Sequence, residues 1–264
     1  MFSVKGTYPA VGLFSEAHII SIFVCVVLIA VLAWATRKMS VKSYYKMLRV
    51  FAVLFTCLEV FKIIWSWSTG LKAINNWVPL YFCSLYIYAL WFSWSKNRKL
   101  KSLGMSFIAC ACIVAGAVFI VFPTTSFSMF PIYHFNCIYS MVYHSAMVYS
   151  SIMLYVTKAY ELNFKSVLKY CCFCLFFMFF AEAININFGS NLMFIANPGN
   201  IPLPFLKPIY NFSPVLFSAI IVVAHLLIGF VVFCITKLAK RIKSKRKQNK
   251  VEVIEIEEES LEEI

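Results

Sequence analysis

Aspartate is missing from this chain, and of its eleven acidic residues only Glu16, Glu59, Glu161 and Glu182 come before residue 252. Any catalytic triad would therefore have to use Glu or Asn as its third member. Charge of either sign is scarce, at 13% of residues, about half the share usual in soluble domains. Hydrophobic residues make up 62% and the mean hydropathy is +0.81. These values exclude soluble-enzyme templates and point to a polytopic membrane protein, all-α, with its charge confined to connections. No internal repeat is evident, which weighs against the usual secondary-transporter folds. No secretory signal is visible, because the basic residues follow the first apolar run and do not precede it.

The net charge of +13 does not imply nucleic acid, since Lys and Arg sit in short segments between apolar runs. The ten cysteines all lie inside apolar runs, so a disulfide framework is not expected. Cys171, Cys172 and Cys174 read as buried free thiols. The histidines and glutamates show no local pair at metal-ligand spacing, and neither metal nor cofactor is expected.

About 20 apolar residues cross a bilayer. The sequence predicts seven such spans, at Ala17–Ala35, Tyr45–Ser66, Asn76–Trp94, Leu103–Phe122, Tyr133–Thr157, Lys165–Ile186 and Phe212–Thr236. Arg37, Lys38 and Lys42, then Lys96, Arg98, Lys99 and Lys101, then Lys158, and finally the cluster Lys237 to Lys250 occupy every second connection. The others hold only Lys5, Lys72 and Lys207. That asymmetry places the N-terminus outside and the C-terminus in the cytoplasm, in the cell membrane. Residues 1–236 then form the transmembrane domain. Residues 237–264 form a tail, basic and then acidic, whose basic part suits anionic lipid headgroups. Asn187–Asn211, apolar yet rich in Pro, Gly and Asn, is expected to be a lid or partly re-entrant segment.

Polar residues inside apolar runs are rare and usually functional. Glu59 and Lys62, three apart, share one face of the second span. Glu182 and Asn185 repeat that spacing in the sixth. His18 opens the first span. Cys83 lies about 10 Å below the outer end of the third, His144 about 16 Å down the fifth, and His225 at similar depth in the seventh. These positions predict a hydrated pocket in the outer half, where spans two, three, five and six converge. A Cys becomes a nucleophile only beside a base or cation, and His144 and Lys62 are the candidates.

The order of these features is itself informative. It comprises His18, Glu-x-x-Lys at Glu59 and Lys62, Pro-Leu-x-x-Cys-Ser around Cys83, "YSMVYHSAMVY" around His144, and "GSNLMFI" followed by Pro. The set resembles the bacterial YwaF-type seven-helix integral membrane proteins, related to the animal transmembrane protein 164 family. The resemblance implies a lipid acyltransferase with Cys83 as nucleophile and His144 as its base, acting on membrane lipids. His18, Glu59, Lys62, Glu182, Asn185 and Asn191 would line the substrate pocket, with Asn185 or Asn191 among the oxyanion donors. The alternative is a transporter or ligand-binding membrane protein that uses Glu59, Lys62 and Glu182.

Overall fold

The computed structural model describes residues 2–199, 201 and 203–262. The side chains of Arg246, Lys247 and residues 249–262 lie outside what is described, and with them the charges of the acidic tail. The described chain is helical: α1 (Glu16–Ala35), α2 (Val41–Ser68), α3 (Ile74–Trp77), α4 (Leu85–Trp94), α5 (Arg98–Cys110), α6 (Cys112–Val121), α7 (Phe135–Thr157), α8 (Phe164–Phe188), α9 (Leu206–Phe212) and α10 (Pro214–Glu262), with one 3-10 turn at Leu192–Phe194. Several starts are fixed by local capping. Ser15 accepts from His18 N, Ser40 from Ser43 N, and Asn163 and Ser166 cap each other reciprocally at α8. Each such cap contributes about 1 kcal/mol.

Three helices, α1, α8 and the first part of α10, are long and apolar enough to cross a membrane. The pair α5 and α6, bent by 42° across Ala111, makes a fourth if counted as one span. The outward faces fit a hydrocarbon solvent. Only His18, Cys25 and Ile29 are buried on α1, while Phe23, Val26, Val31 and Trp34 stand exposed. An apolar surface on this scale would be an association site in water. This is a membrane protein.

The core is shared by α2, α4, α5, α7 and α8, with α10 packed on α8 and α5. Small residues set the closest helix approaches, as expected where lipid supplies no hydrophobic drive between helices. A Cβ on Gly104 would collide with the backbone of α4 at Ala89 and Ser93. On Gly116 it would lie 2.7 Å from the carbonyl oxygen of His144 and 2.7 Å from Val148 Cγ2. Gly116 thus lets α6 press directly on the turn of α7 that carries His144.

Two predicted spans are not continuous helices. The third unwinds between α3 and α4, where Pro79 supplies no N–H to continue the ladder. The fourth breaks at Ala111, with neither Pro nor Gly at the break. The cysteine group on α8 is also not uniformly buried. Cys174 is buried, Cys171 half-buried and Cys172 exposed, because residues one apart on a helix are turned about 100° from each other. At Thr236 there is no break, and α10 runs on as one helix.

Candidate functional site

The non-helical stretch Val78–Ser84 governs the site. Backbone polar groups at membrane depth must be buried in protein or line a cavity, because each unpaired group there costs several kcal/mol. Here the stretch lines a cavity of about 1060 Å³, at the upper end of the range for small-molecule sites. The cavity lies toward the end of the molecule where the N-terminal segment, the link before α3, the α6–α7 connection and the loop after α8 gather.

Cys83 sits in the turn that opens α4, its carbonyl accepting from Tyr86 N at 3.0 Å and from Tyr143 Oη at 3.0 Å. Among the described residues the backbone N–H groups of Cys83 and Ser84 have no hydrogen-bond acceptor. They are free donors at a helix N-terminus, beside the thiol.

His144 lines the same cavity from α7. Its Nδ1 lies 2.7 Å from the carbonyl oxygen of Ser140, four residues earlier. A carbonyl only accepts, so Nδ1 carries a proton, and a neutral ring in this tautomer has its lone pair on Nε2. That Nε2 is buried and has no hydrogen-bond partner among the described residues, the Cys83 thiol included. Phe119 of α6 stacks on the ring, centroids 3.6 Å apart and planes within 6°, and fixes its orientation.

Glu59 and Lys62 also line the cavity, and they are occupied with each other. Lys62 Nζ lies 2.5 Å from Glu59 Oε1, and Tyr139 Oη of α7 donates to Glu59 Oε2 at 2.8 Å. The glutamate is 6% exposed, and its bond to Tyr139 ties α2 to α7.

The loop after α8 folds against the cavity, lining it with Asn191, Phe194 and Asn197. Asn191 organises it: Oδ1 accepts from Ala196 N and Asn197 N, Nδ2 donates to Asn197 O, and its own N–H donates to Asn75 Oδ1 of α3. Met193 and Phe194 both have φ of 56°, a left-handed conformation that non-glycine residues rarely hold. Phe194 packs on Tyr81, two residues before Cys83, with centroids 5.6 Å apart. Asn200 and Pro202 of this loop lie outside the described residues.

Of the residues singled out in the sequence, Cys83, His144, Glu59, Lys62 and Asn191 thus share one cavity. Three others do not line it. His18 is fully buried, its Nδ1 accepting from Phe14 N and its Nε2 3.1 Å from Ile120 O, and it fastens the start of α1 to α6. Asn185 holds the loop from beneath, accepting from Ser190 Oγ and Leu192 N and donating to Leu192 O. Glu182 accepts from that same Asn185 amide. The cavity draws on α6 and α10 where α8 was expected. His225 of α10 lines it, its ring 4.6 Å from that of Phe82. The sequence places His225 at the right depth, but which way it faces depends on how α10 packs.

Residues 13–251 match the model of the TMEM164 family, a span that takes in every cavity residue named above. The chain belongs to the TMEM164 family. No curated protein and no solved structure matches it. For this family member the match extends well into the basic part of α10 but leaves out Lys5, which also reaches the cavity.

Proposed function

We propose that the protein is a membrane-embedded lipid acyltransferase, in which Cys83 takes an acyl group from a membrane lipid and passes it to a lipid hydroxyl. The observation that carries this reading is His144, which lines the same cavity as Cys83, with Nδ1 bonded to Ser140 O and a buried Nε2 that has no partner among the described residues. A positioned base is what a thiol needs to act as a nucleophile. In the first step the sulfur bonds to the acyl carbon of an ester, the ester C–O bond breaks, and the thiol proton passes through His144 to the departing lipid oxygen. The free N–H groups of Cys83 and Ser84 suit the oxyanion that forms on the way. The mostly apolar walls suit acyl chains and keep water scarce, which favours transfer over hydrolysis.

In this reading seven segments cross the cell membrane, with α3 and α4 as one broken span. The N-terminus lies outside, the cavity opens to the outer leaflet, and the basic part of α10 meets anionic headgroups inside. Transport or solute binding would need Glu59 and Lys62 as free ligands, and those two are paired with each other and with Tyr139. A lipidomic comparison of the native host carrying wild type or Cys83→Ala tests the function. Acyl transfer predicts one lipid class that loses a specific acyl chain in the variant, and unchanged lipids overturn it.

A further inference from the structure

The cavity holds a second histidine in the same electronic state as the first. His225 Nδ1 lies 2.8 Å from the carbonyl oxygen of Ile221, so it too carries the proton on Nδ1 and keeps a lone pair on Nε2. No described residue bonds to that Nε2. The ring and the backbone of this residue are each held. Phe82, adjacent to Cys83, packs on the ring, and Tyr170 Oη of α8 donates to the backbone carbonyl of His225 itself. One turn further, a Cβ on Gly229 would collide with the Tyr170 ring, so α10 sits against α8 as closely as the backbone allows. A polar ring on an otherwise apolar membrane helix, lining a cavity and with no described partner on Nε2, is more than a satisfied packing histidine requires.

Acyl transfer through a thioester needs two proton transfers, and they occur at different oxygens. The first goes to the departing lipid oxygen, the second comes from the incoming hydroxyl. His144 and His225 reach the cavity from different helices, α7 and α10. Resting on the acyltransferase reading, we propose that His225 is the base of the second half-reaction, dedicated to the acceptor lipid. The acceptor hydroxyl oxygen bonds to the thioester carbon, the C–S bond breaks, and the hydroxyl proton moves to His225 Nε2. His225 then returns that proton to the Cys83 sulfur, which restores the thiol and the neutral ring. No oxidant, metal or further reactant is involved.

The two halves can be observed separately. Full-length protein is reconstituted in phosphatidylethanolamine and phosphatidylglycerol vesicles that contain an alkyne-tagged acyl phospholipid but no lysolipid. Cys83 is charged, the hydroxylamine-labile label is measured, and lysophosphatidylethanolamine is then added. His225→Gln should charge within about threefold of wild type, which also shows that it folds, and should discharge at least ~100-fold more slowly, the usual worth of a positioned base. His144→Gln should fail at charging. Discharge of His225→Gln at the wild-type rate overturns the proposal. Loss of charging in His225→Gln also overturns it, because a merely structural or shared role would do that. If wild type itself acquires no hydroxylamine-labile label, acyl transfer at Cys83 fails altogether, and the division of labour fails with it.

Discussion

Glu59 and His144 illustrate two different uses of a buried polar group. Glu59 is ion-paired with Lys62 and accepts from Tyr139, so its removal has a structural penalty. Glu59→Gln leaves the Lys62 ammonium largely buried without a counter-charge and should destabilise the detergent-solubilised protein by about 3 kcal/mol. The double variant Glu59→Gln/Lys62→Met should recover most of that loss, as read from thermal unfolding. His144 Nε2 has no partner among the described residues, so its removal should show in rate. His144→Gln is expected to slow thioester formation at Cys83 by ~10²–10⁴-fold, measured by the same acyl label. These residues were legible in the sequence because each is a polar side chain inside an apolar run. Glu182 and Asn185 carry the same signal and the same spacing, yet they face the loop. Spacing fixes which residues share a helix face, whereas packing fixes where that face points.

At the scale of elements, the breaks matter more than the helices. Pro79 announces the unwinding before α4, but the bend at Ala111 has no local marker and arises in the packed structure. That bend brings α6 against α7 at Gly116. Gly116→Ala inserts a methyl 2.7 Å from the His144 carbonyl oxygen, and overpacking of this kind costs about 1–3 kcal/mol. Because the strain falls on the turn that bears His144, acylation of Cys83 should decline more than thermal stability does. The loop over the cavity rests on one amide. Asn191→Ala removes the acceptor for Ala196 N and Asn197 N and should raise hydrogen exchange across residues 189–199, with α7 and α8 unchanged. Equal exchange in both proteins would mean that the buried side chains of Leu192, Met193 and Ile195 hold the loop without it.

For the whole molecule, the distribution of Lys and Arg makes a prediction independent of any chemistry. Single cysteines in a background stripped of reactive thiols should react with an impermeant maleimide from outside at positions 72 and 207. They should be protected at positions 42, 98 and 158. Labelling at 98 would invert the molecule and move the cavity to the inner leaflet. Helix was legible in the apolar runs, since a bilayer leaves so few ways to satisfy a backbone, but among the described residues only three helices, or four with the bent pair α5 and α6, are long and apolar enough to cross. What the sequence could not convey is the contribution of α10. Its mean composition is that of a lipid-facing span, and a single residue, His225, shows that one stripe of it belongs to the interior.

Cys83 stands on chain that is not helical, and that bears on how such a site can change over generations. Adding or deleting one residue within a continuous helix turns everything beyond it by about 100°, which would swing a reactive side chain out of its cavity. The Val78–Ser84 stretch has no such phase to keep. Its length sets how far the thiol reaches, while α4 stays anchored to α5 at Gly104. A change of one residue in the length of this stretch can therefore place the sulfur at a different height along the cavity wall without repacking a single helix.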